Sequence, residues 1–358
     1  MSDARFADGL RYRIEIPSVE GPDVLRAVLE EADARGVPVR RVSQGSGVMM
    51  LTDAEISQMS KLGSERGVEV SLFLGPRGAW DAGGQSAATA AVGGVARGSA
   101  GVEWCVAEAQ RGVALGIRSF LVADIGVLAR LSELKRSGDL PANLVLKTSV
   151  LLPCANPETA RALEQFGAGT INVATDLSVE ELGELRGACA APLDVYVEVP
   201  DDQGGFVRFY EVPELIRRAA PVYVKLGLRN APDVYPAGSH LRDLTVRLTV
   251  ERVRRVRLTA ELLARAGHDF ETSGPGAPAR VRASPRDPRG GGPPDRCSER
   301  CAARASRTRA LPVARSPGRR RSGRSRPGRP EPRRRRPAQP STRHAAPRAR
   351  PARDPSRR

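Results

Sequence analysis

Residues 198–214 read EVPDDQGGFVRFYEVPE. Three carboxylates, Glu198, Asp201 and Asp202, crowd the point where an apolar run, LDVYV, comes to an end. Two glycines and Arg208 follow. A carboxylate at the mouth of a buried strand can exchange protons with a substrate. Flanking glycines let a loop fold over the ligand, and an arginine can reach back to hold it. The body of the chain also holds only four lysines. Lys61 and Lys135 fall on helical patterns, whereas Lys147 and Lys225 sit inside the apolar runs LVLKTSV and PVYVKLG. An amine taken out of water must find a carboxylate or lose its proton more readily. Glu198 is the expected partner of Lys225. Paired, such a lysine holds a core together; unpaired, it is a base or a Schiff-base former.

These groups need elements to position them. Short β-branched runs alternate with segments of helical period, which predicts strands buried on both faces with helices between them. The strands are expected at 12–17, 39–44, 68–74, 118–123, 144–150, 170–175, 193–199 and 221–227. The helices are expected at 22–35, 53–66, 101–115, 127–137, 157–166, 179–190, 211–219 and 248–266. Thr52 with Glu55 and Ser178 with Glu181 read as capping boxes. Asn156 before Pro157 reads as an N-cap, and Gly36, Gly67 and Gly116 as helix ends. Eight strand–helix units in about 260 residues predict an α/β chain folded as a (β/α)8 TIM-like barrel. An open doubly wound sheet would want a glycine fingerprint after the first strand, and IPSVEGPD has none.

In a barrel, chemistry gathers at the C-terminal strand ends. The expected catalytic set is Glu198, Lys225 and Lys147. The expected substrate-binding set is Gln44, Arg77, Asp124, Asn172, Asp201, Asp202, Arg208, Arg229 and Asn230. The loop 75–101, with Trp80 and Asp81, is long enough for a lid, and SQGSG at 43–47 could offer amides to an anion. His240 is the only histidine before residue 268, which excludes a histidine-rich metal centre. Asp124, Glu198 and Asp201 are the candidate ligands for a divalent metal. Cys154 follows the fifth strand and reads as an inert core residue rather than a nucleophile.

Net charge divides the chain. The whole carries +16, but residues 1–270 carry −4 and residues 271–358 carry +20. The expected barrel domain is 1–270. The remainder is rich in Arg, Pro, Ala, Gly and Ser, lacks Ile, Met, Phe, Tyr, Trp, Asn and Lys, and is expected to be a disordered basic tail. It reads either as an arm contacting nucleic acid by charge alone or as a frame-shifted extension, since its residues are those of GC-rich codons. The five scattered cysteines favour a reduced, cytoplasmic compartment over a disulfide framework. The N-terminus has no apolar leader, and no run is long enough for a membrane span.

Five stretches carry a family resemblance: VSQGSGVMMLTDAEI (42–56), LFLGPRGAWDAGG (72–84), VLKTSVLLPCANP (145–157), VYVEVPDDQGGFVRFYEVPEL (195–215) and PVYVKLGLRNAPDVYPAGSHL (221–241). Together they resemble an actinobacterial branch of the collagenase-like peptidases of unassigned catalytic type, family U thirty-two, over residues 10–265. The resemblance implies a barrel-like fold and a hydrolase label, with relatives that modify RNA or ubiquinone precursors, often through an iron–sulfur cluster. The family's His-Gly step and cysteine are missing after Glu198, and the cluster cysteines have no counterparts, so a cluster is not expected. The combined expectation is a barrel enzyme acting on a polar or anionic small molecule or peptide. The alternatives are a non-catalytic ligand-binding barrel, or an RNA- or precursor-modifying enzyme with nucleic-acid contacts from the tail.

Overall fold

The computed structural model describes residues 2–75, 94–267, 271–276 and 281–282. A first strand, β1 (Arg5–Phe6), precedes the repeating units. These are β2 (Tyr12–Pro17), α1 (Pro22–Arg35), β3 (Val39–Gln44), α2 (Asp53–Glu65), β4 (Glu69–Leu74), α3 (Gly98–Ala114), β5 (Ser119–Val122), α4 (Ile125–Ser137), β6 (Val145–Thr148), α5 (Pro157–Gln165), β7 (Ile171–Asn172), α6 (Val179–Ala188), β8 (Leu193–Glu198), α7 (Val212–Ala219), β9 (Val222–Leu226) and α8 (Arg242–Arg265). A last short strand, β10 (Val281–Arg282), pairs antiparallel with β1.

The eight strands β2 to β9 pair in parallel, in the order β6-β5-β4-β3-β2-β9-β8-β7. The sheet then nearly closes on itself. Gly169 N donates to Leu146 O at 2.7 Å and Thr148 N to Thr170 O at 3.0 Å, which joins β6 to the start of β7. The architecture is the (β/α)8 barrel that the alternating pattern predicts. The helix caps form as their residues dictate. Thr52 and Ser178 close reciprocal capping boxes with Glu55 and Glu181, and Asn156 accepts from Thr159 N. Helix α8 begins earlier than its apolar pattern suggests. Its first inward positions, Thr245 and Thr249, are buried yet polar, so apolar periodicity does not reveal them.

Period-two alternation sorts each strand's residues between two environments. Tyr12, Ile14 and Ile16, for example, join the large apolar cluster that also takes in buried faces of the helices. The alternate set, Arg13 and Glu15, points into the lumen. Most TIM barrels fill the lumen with branched apolar side chains. Here the apolar lumen residues form only a small separate cluster, Phe73, Leu121 and Ala123 with Leu151 against it. Much of the remaining lumen is charged.

The N-terminal end of the lumen is sealed. Phe6 packs edge-on against Tyr223, and the Arg13 guanidinium lies 3.9 Å from the Phe6 ring centre. Residues 271–276 lie across this end, although the sequence assigns them to the tail. Thr272 Oγ1 and Ser273 N both donate to Tyr12 O, and Gly276 N donates to Gly67 O at 2.7 Å. Backbone hydrogen bonds hold this segment, so its poverty in apolar residues is no obstacle. Arg77, Trp80 and Asp81 of the expected lid, and everything beyond residue 282, lie outside the described residues. No described helix is long and apolar enough to cross a membrane.

Gly67 joins α2, β4 and this returning segment. Its φ of +63° is costly for other residues, and a Cβ there would lie 2.4 Å from Gly276 N. Gly67→Ala is therefore expected to destabilise the protein by about 1–2 kcal/mol or more. Urea unfolding measures this. An unchanged midpoint would show that the segment does not rest on Gly67.

Candidate active site: a charged layer in the lumen

Glu15 lies at the centre of the lumen. It is fully buried on β2, and three cations from three other strands converge on it. Lys147 Nζ, from β6, lies 2.9 Å from Oε2. Arg41 Nη1, from β3, lies 3.4 Å from the same oxygen. Lys225 Nζ, from β9, lies 3.4 Å from Oε1, which also accepts from Ser43 Oγ at 2.8 Å. Asp194 on β8 completes the layer. It binds Lys147 closely and Arg41 at 3.2 Å, and it accepts from Thr170 Oγ1 at 3.0 Å. Glu69 on β4 takes the remaining edge of Arg41, 2.8 Å from Nε. The Arg41 guanidinium also stacks 3.6 Å from the Tyr223 ring centre. Three carboxylates and three cations thus balance, and all but Glu69, which is 11% exposed, are buried. Charge is tolerated at such depth only when it is paired and hydrogen-bonded.

The titration behaviour follows from this packing. Burial alone would raise the carboxyl of Glu15, but Lys147, Lys225 and Arg41 together overcome it and hold the group below the usual carboxylate range. Burial pushes Lys147 down, and Asp194 and Glu15 oppose the shift. Glu69 is likewise held below the carboxylate range, with Arg41 outweighing burial.

The two lysines sit at different depths. Lys147 is level with Thr170 and Asp194. Lys225 pairs in register with Tyr196, one inward position nearer the C-terminal end of β8. With its amide oriented by its neighbours, Asn172 accepts from Lys225 Nζ at 3.0 Å and donates to Asp194 O. The Lys225 ammonium also lies 4.2 Å from the Tyr196 ring centre. Lys147 is gripped by two carboxylates. Lys225 holds one carboxylate at a longer distance, an amide and an aromatic face.

Among the expected binding residues, Asn172 is the one this cluster includes. Glu198 does not pair with Lys225. A register irregularity between Tyr196 and Glu198 redirects it, and its Oε2 accepts from Arg255 Nε of α8 at 2.8 Å while Oε1 accepts from Arg229 N at 3.0 Å. Arg208 bonds to nearby loop residues. It donates to Leu177 O and pairs with Glu211, which fixes its own loop. Gln44 closes the turn 44–47 by bonding both ways to Gly47. The turn's amides are not open to an anion, because Gly45 N and Ser46 N donate to the Glu20 carboxylate. Asp124 caps α4 through Val127 N and accepts from Ala96 N. Asp201 accepts from Asn230 N at 2.6 Å and lies 3.4 Å from Arg229, all at the exposed rim with Asp202. Asp124, Glu198 and Asp201 are not gathered, and no group of three metal-binding side chains occurs among the described residues. Cys154 is buried, and burial raises its thiol to about 12, as befits an inert core residue.

Glu15, Asp194 and Arg41 were missed by reading strand ends alone. The signal that could have found them is charge inside apolar strands, as in YRIEIP and LDVYVEV, at the inward phase of the alternation. Their linkage also sets an acid limit. Glu15 and Glu69 titrate lower when folded, so they stabilise the protein above the ordinary carboxylate value near 4.5 and lose that contribution as pH falls below it. Urea unfolding across this range is expected to show stability dropping on the acid side, with Glu15→Gln flattening the drop. An identical slope in the variant would contradict the assignment.

Residues 102–199, from α3 to the end of β8, match the sequence model of peptidase family U32. No curated protein matches the chain. Among solved structures, the U32 peptidase Mk0906 is similar at 16% identity, covering 58% of this chain and 74% of that one, with a TM-score of 0.35. The carboxyl transferase domain of Rhizobium etli pyruvate carboxylase is similar at 14% identity, covering 74% and 49%, with a TM-score of 0.40. Thiamine phosphate pyrophosphorylase from Pyrococcus furiosus is similar at 12% identity, covering 70% and 96%, with a TM-score of 0.39. Asp194, Lys147 and Asn172 lie inside the matched segment, whereas Glu15, Arg41 and Lys225 lie outside it. The resemblance to peptidase family U32 read from the sequence is borne out over residues 102–199 of the barrel.

Proposed function

We propose that this protein is a hydrolase-like barrel enzyme acting on a polar or anionic small molecule or peptide at the C-terminal mouth of the lumen. Lys225 is the group that meets the substrate. The observation that carries this reading is the unequal grip on the two lysines. Lys147 is saturated by Glu15 and Asp194, so it positions Glu15 and leaves Lys225 as the loosely held cation nearest the mouth. An ammonium preorganised in a dry site can stabilise negative charge developing on a substrate oxygen. Phe73, Leu121, Ala123 and Leu151 supply an apolar wall on the β4–β5 side, and Asn172 and Tyr196 a polar one. Small-molecule sites combine such surfaces. Glu198, expected as the acid/base, accepts from Arg255 Nε, which supports a role in tying β8 to α8.

Two sets of variants test the reading, with amine release from a panel of short acyl peptides as the activity. Lys225→Met is expected to lower kcat/KM by about 100-fold while the protein stays folded. Lys147→Met leaves Glu15 and Asp194 undercompensated, and is expected to cost about 3–5 kcal/mol of stability. Undiminished turnover in Lys225→Met would sink the catalytic reading, and ligand binding lost without any wild-type turnover would favour a non-catalytic barrel. Glu198→Gln is expected to change turnover by less than about threefold, since the residue touches Arg255 rather than substrate. A large loss of kcat with stability intact would return Glu198 to the catalytic set.

A further inference from the structure

Arg252 on α8 is buried, at 4% exposure, yet it is poorly partnered. Its Nη1 donates to Thr249 Oγ1 at 3.2 Å, one turn earlier on the same helix. Its Nε is buried with no acceptor. A guanidinium carries five N–H donors in a planar fork suited to oxyanions. Among the described residues, this is the one hydrogen bond that the Arg252 side chain makes. A buried donor without an acceptor costs free energy comparable to a lost hydrogen bond.

Its surroundings lie at the mouth. Arg252 is within electrostatic range of Tyr235, Tyr196, Glu20 and Glu198, which come from the C-terminal ends of β2 and β8 and from the loop after β9. Both carboxylates have their oxygens engaged elsewhere. Glu20 accepts from Gly45 N and Ser46 N, and Glu198 accepts from Arg229 N and Arg255 Nε. They temper the charge of Arg252 without satisfying its donors. Tyr235 bonds Ser18 Oγ at 2.5 Å and packs onto Gly45, where a Cβ would lie 2.5 Å from the ring. Tyr196 faces Lys225. The two tyrosines therefore place Arg252 beside the Lys225 cluster.

We propose that Arg252 is the anchor for an oxyanion of the ligand, a carboxylate or phosphate group that supplies the acceptors its guanidinium lacks. This deepens the reading above, because it names an anionic group as the part of the ligand held beside Lys225. The anchor itself does not depend on Lys225 being catalytic.

The test uses the full chain, with inorganic phosphate and acetate as separate probes against chloride at constant ionic strength. Thermal unfolding and calorimetric titration provide the readouts. One probe or the other is expected to bind saturably and raise the unfolding temperature of the wild type, and whichever does so identifies the oxyanion. Arg252→Gln is expected to weaken that binding by at least about ten-fold, and Arg252→Lys to retain part of it. Arg254→Met, an exposed substitution on the same helix, is expected to leave binding unchanged. In chloride alone, Arg252→Gln is expected to unfold at or above the wild-type temperature, because it removes a buried, underpartnered charge. Failure of both probes to bind would overturn the proposal, as would binding retained in Arg252→Gln or an equal loss of unfolding temperature with and without the probe. Binding that persists in Lys225→Met alongside full turnover would sink the catalytic role of Lys225 and leave the anchor standing.

Discussion

The structure depends on one carboxylate. Glu15 is fully buried, and Lys147, Lys225 and Arg41 reach it from three other strands of the barrel. All three cations lean on it at that depth, Lys225 with no other carboxylate among the described residues, Lys147 together with Asp194, and Arg41 together with Asp194 and Glu69. Glu15 in turn would be driven toward its neutral form by burial if the cations were absent. The layer is therefore mutually dependent. It fixes the relative positions of β2, β3, β6 and β9 by charge, where most barrels rely on interdigitated aliphatic side chains.

The layer is also graded from floor to mouth. At the floor, Phe6, Arg13 and Tyr223 seal the lumen, and residues 271–276 lie across that end. In the middle, Lys147 and Arg41 are held by carboxylates on more than one side. Toward the mouth, Lys225 has the lightest hold of the three, and Arg252 waits with an unsatisfied donor. Among the three central cations, the hold lightens along one direction, from Lys147 and Arg41 to Lys225. That direction is the one in which barrel enzymes place chemistry, which is why the site is read at this end.

Much of the fold was legible because it follows local rules. Alternating strand and helix patterns, two capping boxes and the Asn156-Pro157 start each arise from neighbouring residues. The unusual lysines were legible too, since Lys147 and Lys225 interrupt apolar strands. Their partners were not. Reading only strand ends favoured Glu198, and a local register irregularity turns that side chain toward Arg255. Glu15 and Asp194 come from mid-strand positions far away in the chain, and only closure of the barrel brings them to Lys147. Several polar loop residues expected to bind substrate are occupied by short-range bonds: Gln44 with Gly47, Asp124 with Val127, and Arg208 with Glu211. Residue type and loop position do not distinguish a free polar group from one that stabilises its own turn. Arg252 was hidden for the opposite reason, as one arginine among many on an amphipathic helix.

The central claim is that Glu15 grips Lys147 firmly and Lys225 lightly. Paired double-mutant cycles on stability measure this most directly, crossing Glu15→Gln with Lys147→Met and with Lys225→Met. The account predicts a coupling energy to Lys147 clearly larger than that to Lys225. Equal couplings, or a larger one to Lys225, would contradict it and make Lys225 as structural as its neighbour.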